Sequence, residues 1–519
     1  MAGVGFELKK LFNQRGLLSN LSGYVYSALV TVGPVIFCIG LIFFVQYYLI
    51  KQNVRYSSIE LLLATIVYSF IFSQILTSGF LFVLSRFISD HLYLKRYESI
   101  IQSFYGSQVF ILILSAIAGL FFYWNSPLPL LYKILAYCFF VVLCQIWLEM
   151  IYLSAVKDYI RIVLGFTLSC LLSMVFTLVL KNVYNIDLVS LVLLSVDAGF
   201  LIVMIWFATH IKSFYGTSTS NMAEFLIYIE KFYPILITGF FLTLAPYVHN
   251  FVFWVSPHRI ILGKTYAMCS LYDVPTFFAV LTIIPTMVLF VVSVETNFYQ
   301  KYRGYYSNIL KGSTITEIQM AKKEMNEVVF QEINHIAQIQ FFIVLIAFIL
   351  GVKFLPMVGF NKISTEIFFM LVLGGFGYIN MFIAIMLLFY FDDRKGTFLI
   401  SFCFLVLNLG LTILSVELGE SFYGTGYFLA SFISYIIALE RLSYVLRNID
   451  YFTFCSQPLW VNESAGPISR MVRRLDEVGA TNEKQTSDED TTKESEGKGS
   501  IDTPRSGDCV DSLTPEYSN

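Results

Sequence analysis

The chain has 519 residues, of which 57% are hydrophobic and only 13% are charged. Its net charge of −2 hides two unlike parts: residues 1–449 hold 27 Lys+Arg against 22 Asp+Glu, and residues 450–519 hold 7 against 14. The lack of a basic face excludes nucleic-acid binding, and eight scattered cysteines without C-x-x-C or zinc spacing exclude a disulfide-built domain and a metal centre.

A bilayer core of roughly 30 Å needs about 20 apolar residues per helix. Twelve runs meet that length: 22–48, 60–84, 106–124, 131–155, 162–180, 188–209, 233–256, 271–294, 336–356, 365–391, 397–416 and 423–446. The first is too long for a cleavable signal peptide, and no small-residue cleavage site follows it. With the N-terminus inside, the cytoplasmic connections collect nineteen Lys and Arg, against eight on the other side. This asymmetry predicts twelve spans with both termini cytoplasmic. The fold class expected is therefore an all-α polytopic membrane protein.

The outer connections are short. The long inner one, 298–335, contains a capping box at Thr314-Ile-Thr-Glu317, followed by Ile318, Ala321, Met325, Val328 and Val329 at helical spacing. This predicts an amphipathic helix lying on the inner membrane surface, on a partner, or against the protein's own inner face. Residues 451–519 form a tail that becomes acidic, Ser/Thr-rich and nearly free of aromatics from about 466; it is expected to be disordered.

An internal repeat is visible. Thr31-Val-Gly-Pro34 in the first span matches Thr243-Leu-Ala-Pro246 in the seventh, and Leu81-Phe-Val-Leu-Ser85 in the second matches Leu289-Phe-Val-Val-Ser293 in the eighth. Two matches in the same order at nearly equal offset predict a six-plus-six duplication in parallel orientation, with a pathway between the halves. The halves expected are residues 1–230 and 231–450. Pro34, Pro246 and Pro285 are candidate bends or gates.

Ionisable groups within spans are costly and are functional candidates by default. Asp197 lies near the middle of the sixth span, Glu149 in the inner half of the fourth, and His249 and Asn250 shortly after Pro246. Asp273 opens the eighth span and Glu295 closes it, both near interfaces where water can satisfy them. These acids and amides are candidates to line a substrate path. Arg86, Glu295, Lys322 and Lys323 are candidates to face a partner. The 51 Phe and 33 Tyr supply interfacial belts and core packing, and tyrosine can also line a sugar path. No nucleophile elbow, P-loop, H-E-x-x-H or dinucleotide fingerprint is usefully placed, so neither an enzyme nor a cofactor is expected.

The opening Met1-Ala-Gly-Val-Gly-Phe-Glu-Leu-Lys-Lys10 closely resembles the start of the PelG family, membrane transporters of Pel exopolysaccharide systems. Thr77-Ser-Gly-Phe80 with Ser85-Arg-Phe-Ile-Ser-Asp90, Tyr272-Asp-Val-Pro-Thr-Phe277, Tyr390-Phe-Asp-Asp-Arg394 and Phe422-Tyr-Gly-Thr-Gly-Tyr427 extend the resemblance to about residue 450. It implies the flippase and multidrug-exporter fold, with two six-helix bundles in a V around a central cavity. It also implies export of a partly deacetylated N-acetylhexosamine polymer. The implied partners are a cytosolic Pel-type glycosyltransferase and membrane Pel subunits, one of them a cyclic-di-GMP receptor. The acidic tail lies outside the shared pattern. Ammonium groups on such a polymer would suit passage beside Asp197 and Glu149. Two other readings stand beside this one: a small-molecule antiporter driven by H⁺ or Na⁺ with Asp197 and His249 as the coupling pair, and a non-transporting scaffold for a cytosolic synthase.

Overall fold

A computed structural model describes residues 17–183, 187–216, 222–455, 466–467 and 469–471; side chains of residues 17–25 and of 295 and 296 are not described. The opening ten-residue block, the Glu295 side chain and the acidic tail apart from residues 466, 467 and 469–471 therefore lie outside the described residues. The chain divides into two units, Met1–Glu463 and Ser464–Asn519.

Among the described residues, twelve helices are long and apolar enough to cross a membrane. The first six are α1 (Leu17–Lys51), α2 (Tyr56–Tyr93), α3 (Tyr97–Tyr123), α4 (Leu130–Val156), α5 (Tyr159–Val183) and α6 (Leu188–Tyr215). A short helix α7 (Glu224–Lys231) follows, and the expected boundary at 230/231 falls inside it. The seventh crossing is α8 (Tyr233–Val255). The eighth is broken into α9 (Ser270–Leu281) and α10 (Ile284–Ser293), then a π-helical turn at Val294–Phe298. After α11 (Tyr299–Leu310) come α12 (Ile315–Phe354), α13 (Lys362–Tyr390), α14 (Arg394–Leu418) and α15 (Thr425–Arg447).

The helices are apolar on the face that soluble proteins keep polar. On α5, Ile160, Leu164, Leu168, Leu171 and Val175 are exposed, whereas Ser169, Ser173 and Thr177 are buried. That inversion suits lipid outside and close helix packing inside. The packing rests on small residues in equivalent places. A Cβ on Gly199 of α6 would stand 2.6 Å from the Ser169 carbonyl of α5. A Cβ on Gly426 of α15 would stand 2.5 Å from the Leu411 carbonyl of α14. Neither backbone pair tolerates a side chain at that point.

The duplication read from sequence recurs as a packing pattern. In the first six helices α1 packs on α5, α5 on α6, α6 on α4, and α4 on α2 and α3. In the second six α8 packs on α14, α14 on α15, α15 on α13, and α13 on α9 and α12. These are the same pairings shifted by six crossings. The two halves meet where α2 packs on α8 and α1 on α10, again a pair of equivalent contacts.

One expectation about connections is corrected. Residues 298–335 are not a loop carrying a separate amphipathic helix. They form a helical hairpin whose second arm runs unbroken into the ninth crossing, so that crossing starts at Ile315 rather than near 336. The capping box is present: Thr314 accepts from Glu317 N at 3.4 Å, and Thr314 N donates to Glu317 Oε2 at 3.0 Å. Hydropathy falls where the helix leaves the bilayer, although the backbone continues. The apolar stripe packs on the protein itself, with Met325 and Val329 buried, Lys322 paired to Asp450 at 2.6 Å and Asn326 donating to Leu446 O.

The short connection between α8 and α9 is a β-hairpin. Strands β1 (Ile260–Leu262) and β2 (Tyr266–Met268) pair antiparallel. Three residues, Gly263 to Thr265, connect them; Gly263 and Lys264 both take positive φ, and Thr265 N closes the turn on the Leu262 carbonyl at 3.0 Å. This ribbon marks one end of the bundle, and the α11–α12 hairpin marks the other.

Candidate functional site

The acidic candidates divide between the halves. In the first half Glu149 is fully buried on α4, where its Oε1 accepts from Gln108 Nε2 of α3 at 2.9 Å. Gln145, one turn earlier, donates to the Gln108 carbonyl at 3.3 Å. Glu149 Oε2 is buried without a hydrogen-bond partner. Asp197 on α6 is 8% exposed, and neither carboxylate oxygen has a hydrogen-bond partner. A buried carboxylate left in this condition is expensive.

The second half gathers His249, Asn250 and Asp273. The His249 ring lies 4.3 Å from Tyr427 and 5.4 Å from Tyr272. Phe253 stacks on Tyr272 at 3.7 Å, and Tyr378 is within electrostatic reach of both Tyr247 and Tyr427. The result is a tyrosine-rich core around one imidazole. Asp273, at the start of α9, accepts from Asn250 Nδ2 at 2.8 Å, from Trp254 Nε1 at 2.9 and 3.0 Å, and from Cys269 N at 2.8 Å. Asn250 and Trp254 sit one turn apart on α8, so this carboxylate ties the helix before the ribbon to the helix after it.

Asp197 and His249 are not brought together. Asp197 lies on α6, which packs on α4 and α5 inside the first half, whereas His249 faces α9 and α15 inside the second. The coupling pair expected of an antiporter is therefore not assembled in this conformation.

The three prolines behave differently. Pro34 and Pro246 lie inside helices that continue past them. Pro285 sits in the first turn of α10, directly after the break at Thr282–Ile283. A missing N–H is harmless there, so this proline fits an existing interruption. Asn408 of α14 donates to the carbonyl of Ala245, the residue before Pro246, at 2.8 Å.

The expected partner-facing groups also separate. Arg86 pairs with Asp90 at 3.3 Å and lies over the Phe232 ring. Lys322 is occupied by Asp450. Lys323 is 80% exposed and loosely paired to Glu327 at 3.9 Å, so it is free to meet another molecule.

One element escaped the sequence reading, the seam between the halves. On α8, Tyr247, Phe251 and Trp254 share a face. Phe251 stacks on Phe72 of α2 at 5.4 Å and 6°, and Trp254 stacks on Tyr68 of α2 at 4.7 Å and 12°. Tyr247 donates its hydroxyl to Gln74 Oε1 of α2 at 3.2 Å. At the ribbon end Tyr266 of β2 meets Tyr68 edge-on at 5.0 Å and lies 2.9 Å, hydroxyl to hydroxyl, from Tyr123 of α3. Ser126 and Thr265 add a further contact at 2.8 Å. The ribbon of the second half is thus fastened to the first, and this end of the seam is closed. The i, i+4, i+7 spacing of the α8 rings was legible, but apolar sequence is full of such spacings.

The family model described as "PelG: Putative exopolysaccharide Exporter (EPS-E)" matches residues 1–454. No curated protein sequence matches the chain significantly. Among solved structures, a mutant of the Vibrio cholerae MATE transporter VcmN is similar with a TM-score of 0.58 at 12% identity, over 87% of this chain and all of that one (100%). A multidrug resistance MATE family transporter of the MOP superfamily, in its outward-facing conformation, gives 0.54 at 14% identity, over 87% and 99%. A MOP superfamily transporter from Pyrococcus furiosus gives 0.53 at 12% identity, over 82% and 95%. At these identities the likeness establishes the fold, which is that of membrane transporters.

Proposed function

The chain belongs to the PelG family of exopolysaccharide exporters, and from that premise we propose that it carries a Pel-like polymer across the cytoplasmic (inner) membrane to build biofilm matrix. The polymer class is a partly deacetylated N-acetylhexosamine chain. The family match over residues 1–454 carries this reading. The closed seam between two equivalent halves supports it, since a path between halves needs a gate.

In this reading the α11–α12 hairpin faces the cytosol, which the basic excess on that side supports, and the β-ribbon faces outward. The ribbon contacts then form the outer gate, shut in this conformation. A cytosolic glycosyltransferase supplies the polymer, and membrane subunits including a cyclic-di-GMP receptor complete the assembly. Lys323 and the open face of the hairpin are the surfaces offered to the synthase.

The test is deletion and complementation in a polymer-producing host, with hexosamine polymer measured inside and outside the cells. Loss of extracellular polymer, restored by the intact chain, is expected. Normal secretion without the chain would overturn the proposal. Co-purification with a glycosyltransferase checks the partner separately.

A further inference from the structure

The aromatic seam is arranged in a way that simple helix packing does not require. Aliphatic side chains would fill a contact between α2 and α8 equally well. Instead, Phe72 on Phe251 and Tyr68 on Trp254 are nearly coplanar stacks, and Tyr247 prolongs the row at 6.5 Å from Phe251. From Tyr247 to Trp254 the row covers about 10 Å of helix. Polar groups run along its edge: Gln74 at one end, then Asn250 and Asp273 at the other.

Asp273 adds a charge to that edge. Its donors are all neutral (an amide, an indole and a backbone N–H), and no ion pair is formed by it among the described residues. The Trp254 N–H holds this carboxylate at the edge of the indole, so an ammonium drawn to Asp273 by its charge arrives beside a ring whose face can carry the sugar that bears it. The apolar C–H face of a hexose ring can replace an aromatic ring in a stack, and its hydroxyls can use the polar edge.

Building on the exporter reading above, we propose that the α2–α8 aromatic seam is the polymer's path and that Asp273 with Trp254 recognises the free amino groups of its deacetylated sugars. Without polymer the rings stack on one another and hold the seam shut, with Tyr68 and Trp254 only 8% and 5% exposed. As the halves part, ring–sugar stacks replace ring–ring stacks, so each sugar that enters offsets the contacts it breaks.

The experiment uses the full chain in lipid nanodiscs and measures binding of glucosamine hexamer and N-acetylglucosamine hexamer by calorimetry at mildly acidic pH. The wild-type chain should bind the glucosamine hexamer about tenfold more tightly, a difference of one decade in Kd. Asp273→Asn should abolish this preference while keeping the acetylated affinity, Asp273→Glu should recover it, and Trp254→Leu should weaken both ligands. Equal affinity of the two hexamers for the wild-type chain, or a preference that survives Asp273→Asn, would overturn the role of Asp273. Absence of binding to either hexamer, or an unaffected Trp254→Leu, would overturn the seam as the path. A melting curve on each variant separates misfolding from lost recognition. Cellular polymer secretion that persists without the chain would refute the exporter reading alone and leave the binding results to be judged by themselves.

Discussion

Tyr68 donates its hydroxyl to the carbonyl of Ala267 at 2.5 Å and accepts from the amide of the same residue at 3.1 Å. A side chain from the first half thereby supplies both hydrogen bonds that strand β2 would otherwise seek from a third strand. The ribbon is only two strands wide, and such a ribbon has marginal stability alone. Its order depends on this tyrosine and on the stack of the same ring against Trp254.

Replacing Tyr68 by Phe removes both bonds and keeps the stack. Each bond contributes about 1 kcal/mol net, so the ribbon should lose about 1–2 kcal/mol of local stability. Amide exchange over residues 260–268 should accelerate by about 5–30-fold, while the rest of the chain is unchanged. Hydrogen–deuterium exchange in nanodiscs reads this directly, and identical protection in the two proteins would show that the ribbon is held by something else.

The twelve crossings were legible because a bilayer imposes one length on every apolar run. The repeat was legible because both copies keep a proline in their first crossing. What hydropathy could not give was the end of a helix that leaves the membrane without unwinding. Hydropathy places the start of the ninth crossing near 336, whereas the capping box at Thr314 marks the true start of the helix. Ile-Ile-Leu-Gly-Lys-Thr-Tyr-Ala-Met reads as a short outer connection because each strand is only three residues long, although a three-residue turn containing Gly between strand formers is a hairpin signal. The partners of Asp273 were out of reach for another reason. Asn250 and Trp254 lie more than eighteen residues earlier in sequence, and only the ribbon turning the chain back brings them to it. The same limit applies to Asp197 and His249, which depth alone made look like a pair.

Asp197 is the described carboxylate with the poorest surroundings, both of its oxygens being buried and unpartnered. Asp197→Asn keeps the size and shape of the side chain and removes only its capacity to ionise, so the folded protein should be at least as stable as the wild type by thermal melting. If the acid serves transport, polymer export should fall at normal protein abundance. Export at the wild-type rate, with abundance controlled, would reduce Asp197 to a structural residue.

Asp393 and Arg441 fasten α14 to α15 at the hairpin end. Arg441 Nε and Nη2 reach the two carboxylate oxygens at 2.6 and 2.8 Å, and Asp393 also accepts from Gly396 N at 3.1 Å as the cap of α14. The carboxylate side chain is only 3% exposed and the guanidinium 31%. Removing one member of a buried, hydrogen-bonded pair leaves the other uncompensated. Asp393→Ala should therefore cost about 2–4 kcal/mol, the lower end reflecting the partly wet arginine. Arg441→Lys keeps the charge but loses the two-pronged geometry, and it should fall between the wild type and Asp393→Ala. Equal melting temperatures for Arg441→Lys and the wild type would show that charge alone is used.

The connection between the halves carries the pH dependence. Glu224 opens α7, and the imidazole of His91 on α2 stands 3.5 Å from its Oε1. His91 Nδ1 lies 2.9 Å from the Phe87 carbonyl, which can only accept, so Nδ1 holds a proton. A second proton on Nε2 then makes the ring a cation facing Glu224. The His91 hydrogen bond and charge hold the Glu224 carboxyl below its usual range, against the opposing effect of burial, with help from Ser99 and Arg96. A carboxyl whose folded value is depressed adds stability that is present above its unfolded pKa of about 4.3 and is lost as pH falls through the folded value. Melting temperatures of the wild type and Glu224→Gln should therefore differ near pH 6 and converge as the pH drops below the usual carboxylate range. A gap that stays constant down to pH 3 would show that α7 is held by the packing of Phe225 and not by this pair.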